Sequence, residues 1–459
     1  MLVTLLAFVF ALSVLIAGHE WGHYRVAVAC GVRVLRFSIG FGPVLLRFKP
    51  RRQHPGQDTE FVISAIPLGG YVKMLDEREA AVPDALRHQA FNVQPLAKRT
   101  LIVAAGPVAN LLMAVILYTA VNWIGVQEPR ALLSAPPAAS LAAQAGLHGG
   151  DLVQEGALAG SDLKPLASFE ELRWLLTRGA LARRDVVLDV RPADHAGGAE
   201  RVTLPLSALA RAEPDAQLFR EIGIVAPATR PLIGDLVAGG AAERAGLQPG
   251  DLVLQVDDVA IADGQQLRSL IRDSGRAGAP APQHWRVLRA GQEQELVVTP
   301  DLQQEDGRTL GRIGALVGAA PEMVLVRKGP LTGAWLGVTR TWEVSALSLR
   351  VLGRMVVGAV SLKSLSGPVM IADYAGKSAE LGLVYYLGFL AFISVSLGVL
   401  NLLPVPVLDG GHLMYYLWEA VTGRAVAGRW LAYLQYAGAA VLGAVMTLAI
   451  YNDVVNLLG

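Results

Sequence analysis

Four long apolar runs constrain this chain more than any other feature. They cover residues 2–24, 101–124, 383–403 and 431–451. Each is close to the roughly 20 residues a helix needs to cross a hydrocarbon layer. No water there can satisfy a backbone N–H or C=O, so isolated runs of this kind are confined to helices. The remaining composition agrees, with 53% of the 459 residues hydrophobic and 17% charged, which is too apolar for an ordinary soluble chain. A net charge of +1 excludes a generally basic surface, and no nucleic-acid partner is expected. Cys30 is the single cysteine, which excludes an internal disulfide and a cysteine-built zinc site. The first run has no basic start and meets His19, Glu20 and His23 where a cleavage site would lie, so it reads as a retained span.

Charge sets the expected orientation. Residues 25–100 carry twelve Lys and Arg, and such an excess places a loop in the cytoplasm. Both termini and the stretch 126–380 then face outward. Within the basic loop, residues 32–39, 44–48, 60–66 and 71–75 read as short strands. Gly40, Gly42 and Pro43 punctuate the first pair, and Pro67, Gly69 and Gly70 the second. A small membrane-associated sheet is predicted.

The outward stretch contains a repeat. Ala145-Gly146-Leu147-His148-Gly149-Gly150-Asp151 returns as Ala245-Gly246-Leu247-Gln248-Pro249-Gly250-Asp251, one hundred positions later. A strand, a short helical pattern and paired strands follow each copy, which predicts two modules at 126–215 and 220–303. The A-G-L-x-x-G-D turn resembles the PDZ family, better in the second copy than in the first, where Gly149 stands in place of Pro. Residues 304–382 read as a linker with an interfacial helix, and 404–430 as a cytoplasmic-side loop.

The sharpest chemical signal is His19-Glu20-Trp21-Gly22-His23. On a helix, residues four apart share a face. Two imidazoles can then hold one Zn²⁺, with Glu20 close enough to take a proton from water. Ionisable groups in a membrane segment are expensive, which favours function over a decorated helix end. Catalytic zinc normally takes three protein ligands and keeps one open position, so a third must come from elsewhere. Asp409 is the best candidate, in the stretch Asn401-Leu402-Leu403-Pro404-Val405-Pro406-Val407-Leu408-Asp409-Gly410-Gly411-His412. Two prolines end the third span there, and the glycines predict a tight turn after Asp409. His412 competes as a ligand, but Asp409 comes first along the extended chain, and a carboxylate offsets the zinc charge. Gly106-Pro107-Val108-Ala109-Asn110 reads as a site of close helix packing, with support of the metal site by Asn110 as the alternative. His54, His88, His148, His195 and His284 stand alone in polar surroundings and read as solvated.

Taken together, the helix motif, the N-x-x-P-x-P-x-L-D-G stretch and the repeated modules resemble the site-2 protease family over nearly the whole chain. The resemblance implies an α-helical polytopic membrane protein. Its four transmembrane helices would carry two inserted periplasmic PDZ-like α/β domains and a small membrane-associated β-sheet, all in a bacterial inner membrane. It implies His19, His23 and Asp409 as zinc ligands, Glu20 as general base and Asn401 as a substrate-positioning residue. Tyr71, Val72 and Lys73 would belong to a β-element that holds substrate. The implied activity is intramembrane cleavage of single-span proteins, such as an anti-sigma factor already trimmed by a first protease, or remnant signal peptides. Two rivals from other classes are a membrane-tethered peptide-binding scaffold and a zinc transporter. The intact metal motif counts against the first, and the paired modules count against the second.

Overall fold

A computed structural model describes residues 2–193, 198–209, 216–277, 279–305, 308–357, 367–426 and 428–458. His195 lies outside them. The chain divides into two compact units, one made of Met1–Val126 and Arg327–Gly459, the other of Gln127–Val326.

The first unit opens with α1 (Leu2–Ala29). This helix runs past the apolar stretch, so the His19–His23 motif lies in its interior and not at its end. Next come β1 (Val34–Phe48) and β2 (Glu60–Met74), 15 residues each. Each is two of the expected strands joined at a glycine-rich bend, where Gly40, Gly42 and Gly69 take positive φ. Residues 34–39 pair on one side with 70–74 and on the other with 60–63, and residues 44–48 pair with 61–64. Residues 70–74 therefore form an outer strand, paired along one edge only among the described residues. Val34 and Phe37 bury one face against Tyr24, Ala27 and Val28 of α1, and Phe61 packs on the same cluster. Phe41, Leu45, Leu46 and Phe48 at the far end are exposed. The helix α2 (Leu96–Ile124) then packs beside α1.

The strand β3 (Val126–Pro129) leads from the first unit into the second. Its first module holds α3 (Leu141–Gln144), β4 (Leu152–Leu158), β5 (Lys164–Pro165), α4 (Phe169–Ala182), β6 (Val186–Arg191), β7 (Glu200–Leu204) and α5 (Ala216–Ile222). The second holds β8 (Ile233–Leu236), α6 (Ala241–Arg244), β9 (Leu252–Val256), β10 (Val259–Ala260), α7 (Gly264–Asp273), β11 (Gln283–Arg289) and β12 (Gln292–Val298). A hairpin, β13 (Asp301–Glu305) with β14 (Arg308–Arg312), precedes β15 (Ala315–Val317) and β16 (Met323–Val326). The sheets repeat each other, in the order β5-β4-β6-β7 and β10-β9-β11-β12.

The recurring turn has a physical cause. Gly146 and Gly150, like Gly246 and Gly250, sit at positive φ, where a side chain would be strained. Between them Leu147 and Leu247 plunge into the two cores. One Asp oxygen closes each turn: Asp151 accepts the His148 N–H and Asp251 the Gln248 N–H, both at 2.8 Å. In the second copy Arg289 also donates twice to Asp251, at 2.7 Å each.

Back in the first unit, α8 (Pro330–Val356) fills a stretch read from the sequence as linker. Its Val344 packs with Ala114 of α2. Small residues permit the approach, since a Cβ on Gly337 would lie 2.4 Å from Thr119 Oγ1. Then come α9 (Pro368–Glu380), α10 (Leu383–Asn401), α11 (Asp409–Thr422) and α12 (Gly428–Leu458). Asp453 of α12 caps α9 by accepting the N–H groups of Gly367, Val369 and Met370 at 2.8, 3.0 and 3.1 Å. Among the described residues, four helices are long and apolar enough to cross a membrane: α1, α2, α10 and Arg429–Asp453 of α12.

Candidate metal centre

The centre is assembled on α1 by close contact with α2. Gly22, inside the H-E-W-G-H motif, lets the helices meet, because a Cβ there would lie 2.3 Å from the Ala105 carbonyl oxygen. Gly106 of α2 sits under the two imidazoles, and a Cβ on it would lie 2.3 Å from His23 Nε2 and 2.7 Å from His19 Nε2. Ile102, Gly106 and Asn110 are spaced by four, so α2 turns one face to the motif. His23 Nδ1 donates to the Ile102 carbonyl at 2.8 Å, which leaves Nε2 as the atom with a free lone pair. His19 Nδ1 faces the Asn110 amide at 3.3 Å.

Asp409 arrives from the other direction. The expected turn after it is a helix start: Asp409 is the first residue of α11, and Gly410 and Gly411 are helical. The glycines serve approach and not bending. A Cβ on Gly410 would lie 2.2 Å from the Leu403 oxygen, and one on Gly411 2.3 Å from the Val405 oxygen. Folded tightly on the chain before it, α11 presents the Asp409 Oδ2 at 3.1 Å from His19 Nε2 and 3.4 Å from His23 Nε2. The two Nε2 atoms are 3.2 Å apart. Among the described residues, His19, His23 and Asp409 form the group of His and carboxylate side chains able to hold a metal ion, with ligand atoms within 4.8 Å of one another. Burial raises the Asp409 carboxyl, but the two histidines outweigh it and hold it at about 2.

Glu20, His23 and Asp409 line one cavity of about 690 Å³, together with Val72, His412 and the Arg99–Glu419 pair. Glu20 also lies against the outer strand: a Cβ on Gly70 would be 3.0 Å from its Cγ. Arg99 of α2 donates to Glu419 of α11 at 2.6 Å and stacks over Tyr416 at 5.1 Å, tying the two helices beside the centre. At the same cavity Asp76 pairs with Arg78; burial raises its carboxyl, but the Arg78 hydrogen bonds prevail and keep it below its usual value. Burial lowers His412, which lines the cavity on α11 three residues beyond Asp409.

Of the three strand residues named from the sequence, Val72 lines the cavity. Tyr71 stacks on Phe41 and accepts from Arg36, and Lys73 reaches Glu79 at 3.8 Å, because successive side chains on a strand point opposite ways. Asn401 is half-buried at the last position of α10 and is not among the cavity-lining residues. The contribution of α2 was the part least visible in the sequence. A backbone carbonyl leaves no trace there, and the stretch Gly106–Asn110 suits plain helix packing as well as support of a metal site.

Residues 7–445 match the model of peptidase family M50. A Ralstonia nicotianae protein provisionally named a zinc metalloprotease is 42% identical over 469 residues, covering 99% of both chains. A Yersinia pestis protein named protease RseP is 39% identical over 98% of both chains. The Escherichia coli protein named regulator of sigma-E protease RseP is 38% identical, again over 98% of both.

Proposed function

We propose that this chain, which belongs to peptidase family M50, the site-2 protease family, is a zinc endopeptidase that cuts the membrane-spanning segments of single-span proteins. The observation that carries the reading is the convergence of two Nε2 atoms and one Asp409 oxygen beside Glu20, within a bundle of membrane-length helices. Two imidazoles and a carboxylate suit a catalytic zinc and leave a coordination position open. Zinc, when bound, supplies a Lewis acid that activates water and polarises the scissile carbonyl. Glu20 takes the proton of the attacking water and returns it to the leaving amine. Asp409 brings the negative charge that offsets the cation in a poorly solvated site.

A helical substrate hides its peptide bonds in its own hydrogen bonds. The edge of residues 70–74, unpaired among the described residues, lies beside Glu20 and can hold an unwound segment extended by strand addition. Tyr71, Val72 and Lys73 supply that edge, and Asn401 positions the substrate from the end of α10. The exposed apolar side chains at the far end of the sheet suit a sheet that dips into lipid.

By the charge of the first loop, the sheet lies on the cytoplasmic side of a bacterial inner membrane, and both termini face the periplasm. The two modules of the second unit are PDZ-like periplasmic domains and act as a size filter, turning away substrates with a bulky outward domain. The substrate is an anti-sigma factor trimmed by a first cut, a reading in keeping with the sigma-E regulation named in the Escherichia coli relative. Remnant signal peptides fit the same chemistry.

The test uses the purified chain in liposomes with a designed single-span substrate. Chelation should stop cleavage and Zn²⁺ should restore it; cleavage indifferent to chelation would overturn the reading. Removing Gln127–Val326 should extend cleavage to untrimmed substrates. If the deleted chain still cuts only trimmed ones, the filter lies elsewhere.

A further inference from the structure

We propose that Asn110 is a positioning residue for the metal centre: its side-chain oxygen accepts the Nδ1–H of His19 and holds that imidazole in the tautomer whose Nε2 can ligate. The inference rests on the zinc reading above and adds a residue to it.

A neutral imidazole carries one proton. In His19, Nε2 is the atom turned to Asp409, at 3.1 Å, and to His23 Nε2, at 3.2 Å. Ligation through Nε2 therefore requires the proton on Nδ1, and that proton needs an acceptor. Asn110 is the group that Nδ1 faces, at 3.3 Å. In His23 the same place is taken by the Ile102 carbonyl, at 2.8 Å. One face of α2 thus addresses both ligands, with Gly106 between.

The amide orientation is the telling detail. As placed, Nδ2 faces His19, which would leave the imidazole proton on Nε2, where it blocks the metal. In this orientation Oδ1 is buried without a hydrogen-bond partner. An asparagine amide has two nearly isosteric orientations, and the hydrogen-bond network decides between them. Rotating it by half a turn gives the orphaned oxygen the Nδ1–H as its donor and frees Nε2. Metal occupancy and amide orientation are therefore coupled.

Asn110 is also held for this role. It is fully buried, and its backbone oxygen accepts the Ser394 hydroxyl of α10 at 2.7 Å. Gly398, one turn further along α10, packs on the Pro107 oxygen, where a Cβ would lie at 3.1 Å. Such anchoring of α2 against α10 suits an orienting group, whose precision decides how well the ligand is aimed.

Zinc affinity of the full-length chain in detergent, measured by competition with a chromophoric chelator, tests the proposal. Asn110→Leu removes the acceptor at similar volume and should weaken zinc binding by roughly 10–100-fold. Asn110→Asp, which can accept and cannot donate, should bind zinc close to the wild type. A folded Asn110→Leu with wild-type affinity would overturn the proposal. So would an Asp variant as weak as the Leu variant, since the side chain would then serve by packing or by donation. Should the Leu variant fail to fold, the Asp variant decides alone: affinity near the wild type supports acceptance, and affinity as low as that of His19→Ala refutes it. A wild-type chain without tight zinc binding would instead sink the zinc reading on which the proposal rests.

Discussion

Gly22→Ala isolates the close approach of α1 and α2 from the ligands themselves. The new methyl would lie 2.3 Å from the Ala105 carbonyl oxygen and 2.7 Å from the Ala109 Cβ, against an ordinary contact of 3.4–4 Å. Because the first obstacle is backbone, no side chain can rotate away, and the helices must part by about 1 Å. Overpacking of this kind costs about 1–3 kcal/mol. The helix propensity gained in replacing glycine by alanine returns about 1 kcal/mol. The net loss of stability is therefore modest. The loss of function is not, because His19 and His23 are aimed by contacts with α2, and a displacement of about 1 Å at a catalytic centre can cost about 10²-fold in rate. The assay is cleavage of a single-span substrate in liposomes, with thermal unfolding measured alongside. Gly388→Ala in α10 is the control, since its methyl would enter open space. It should cut normally. Turnover by Gly22→Ala within a few-fold of the wild type would refute the reasoning.

Three further outcomes are expected. Asp409→Asn should abolish cleavage and weaken zinc retention, while His412→Ala, which removes a cavity-lining group that does not belong to the ligand cluster, should keep measurable activity; the opposite pattern in cleavage and metal analysis would reassign the third ligand. In the second unit, burial raises the Asp251 carboxyl, but Arg289 and the Gln248 N–H hold it below its usual value. Its contribution to stability is therefore present above about pH 4 and lost as the pH falls through its folded value. Asp251→Asn should cost about 1–3 kcal/mol near neutral pH and flatten this dependence, read as hydrogen exchange in β9 and β11. An unchanged pH dependence in the variant would contradict the assignment. Finally, a cysteine placed at exposed Arg52 in a Cys30→Ala background should label from the cytoplasmic side, and labelling only from outside would reverse the orientation.

The elements legible in the sequence were those with a local cause. The four spans announce themselves because each is a continuous apolar run, and the His19–His23 pair because four residues make about one helical turn. Asp409 could be found as a candidate ligand because two prolines and two glycines mark a broken helix. The same glycines misled as to its surroundings, since Gly410 and Gly411 read as a turn when judged alone. Only the packed structure shows the carbonyl groups of Leu403 and Val405 filling the space where their side chains would be. The helix α8 was missed for a related reason. It carries Arg340, Glu343, Arg350 and Arg354, and its contact with α2 relies on small residues such as Gly337, which weaken a local helix signal. The order of strands in the first sheet depends on pairing across the bends at Gly40 and Gly69. Nothing local reveals that residues 70–74 end at the edge beside Glu20.

The central claim is that Glu20 performs proton transfer at a metal centre held by other residues. Its most direct test compares the wild type with Glu20→Gln in two measurements on one preparation, zinc content per chain and cleavage of the single-span substrate. Zinc content should be the same in both, because no ligand is removed, and cleavage should be lost in the variant. Cleavage by Glu20→Gln at near the wild-type rate, with zinc bound, would contradict the account.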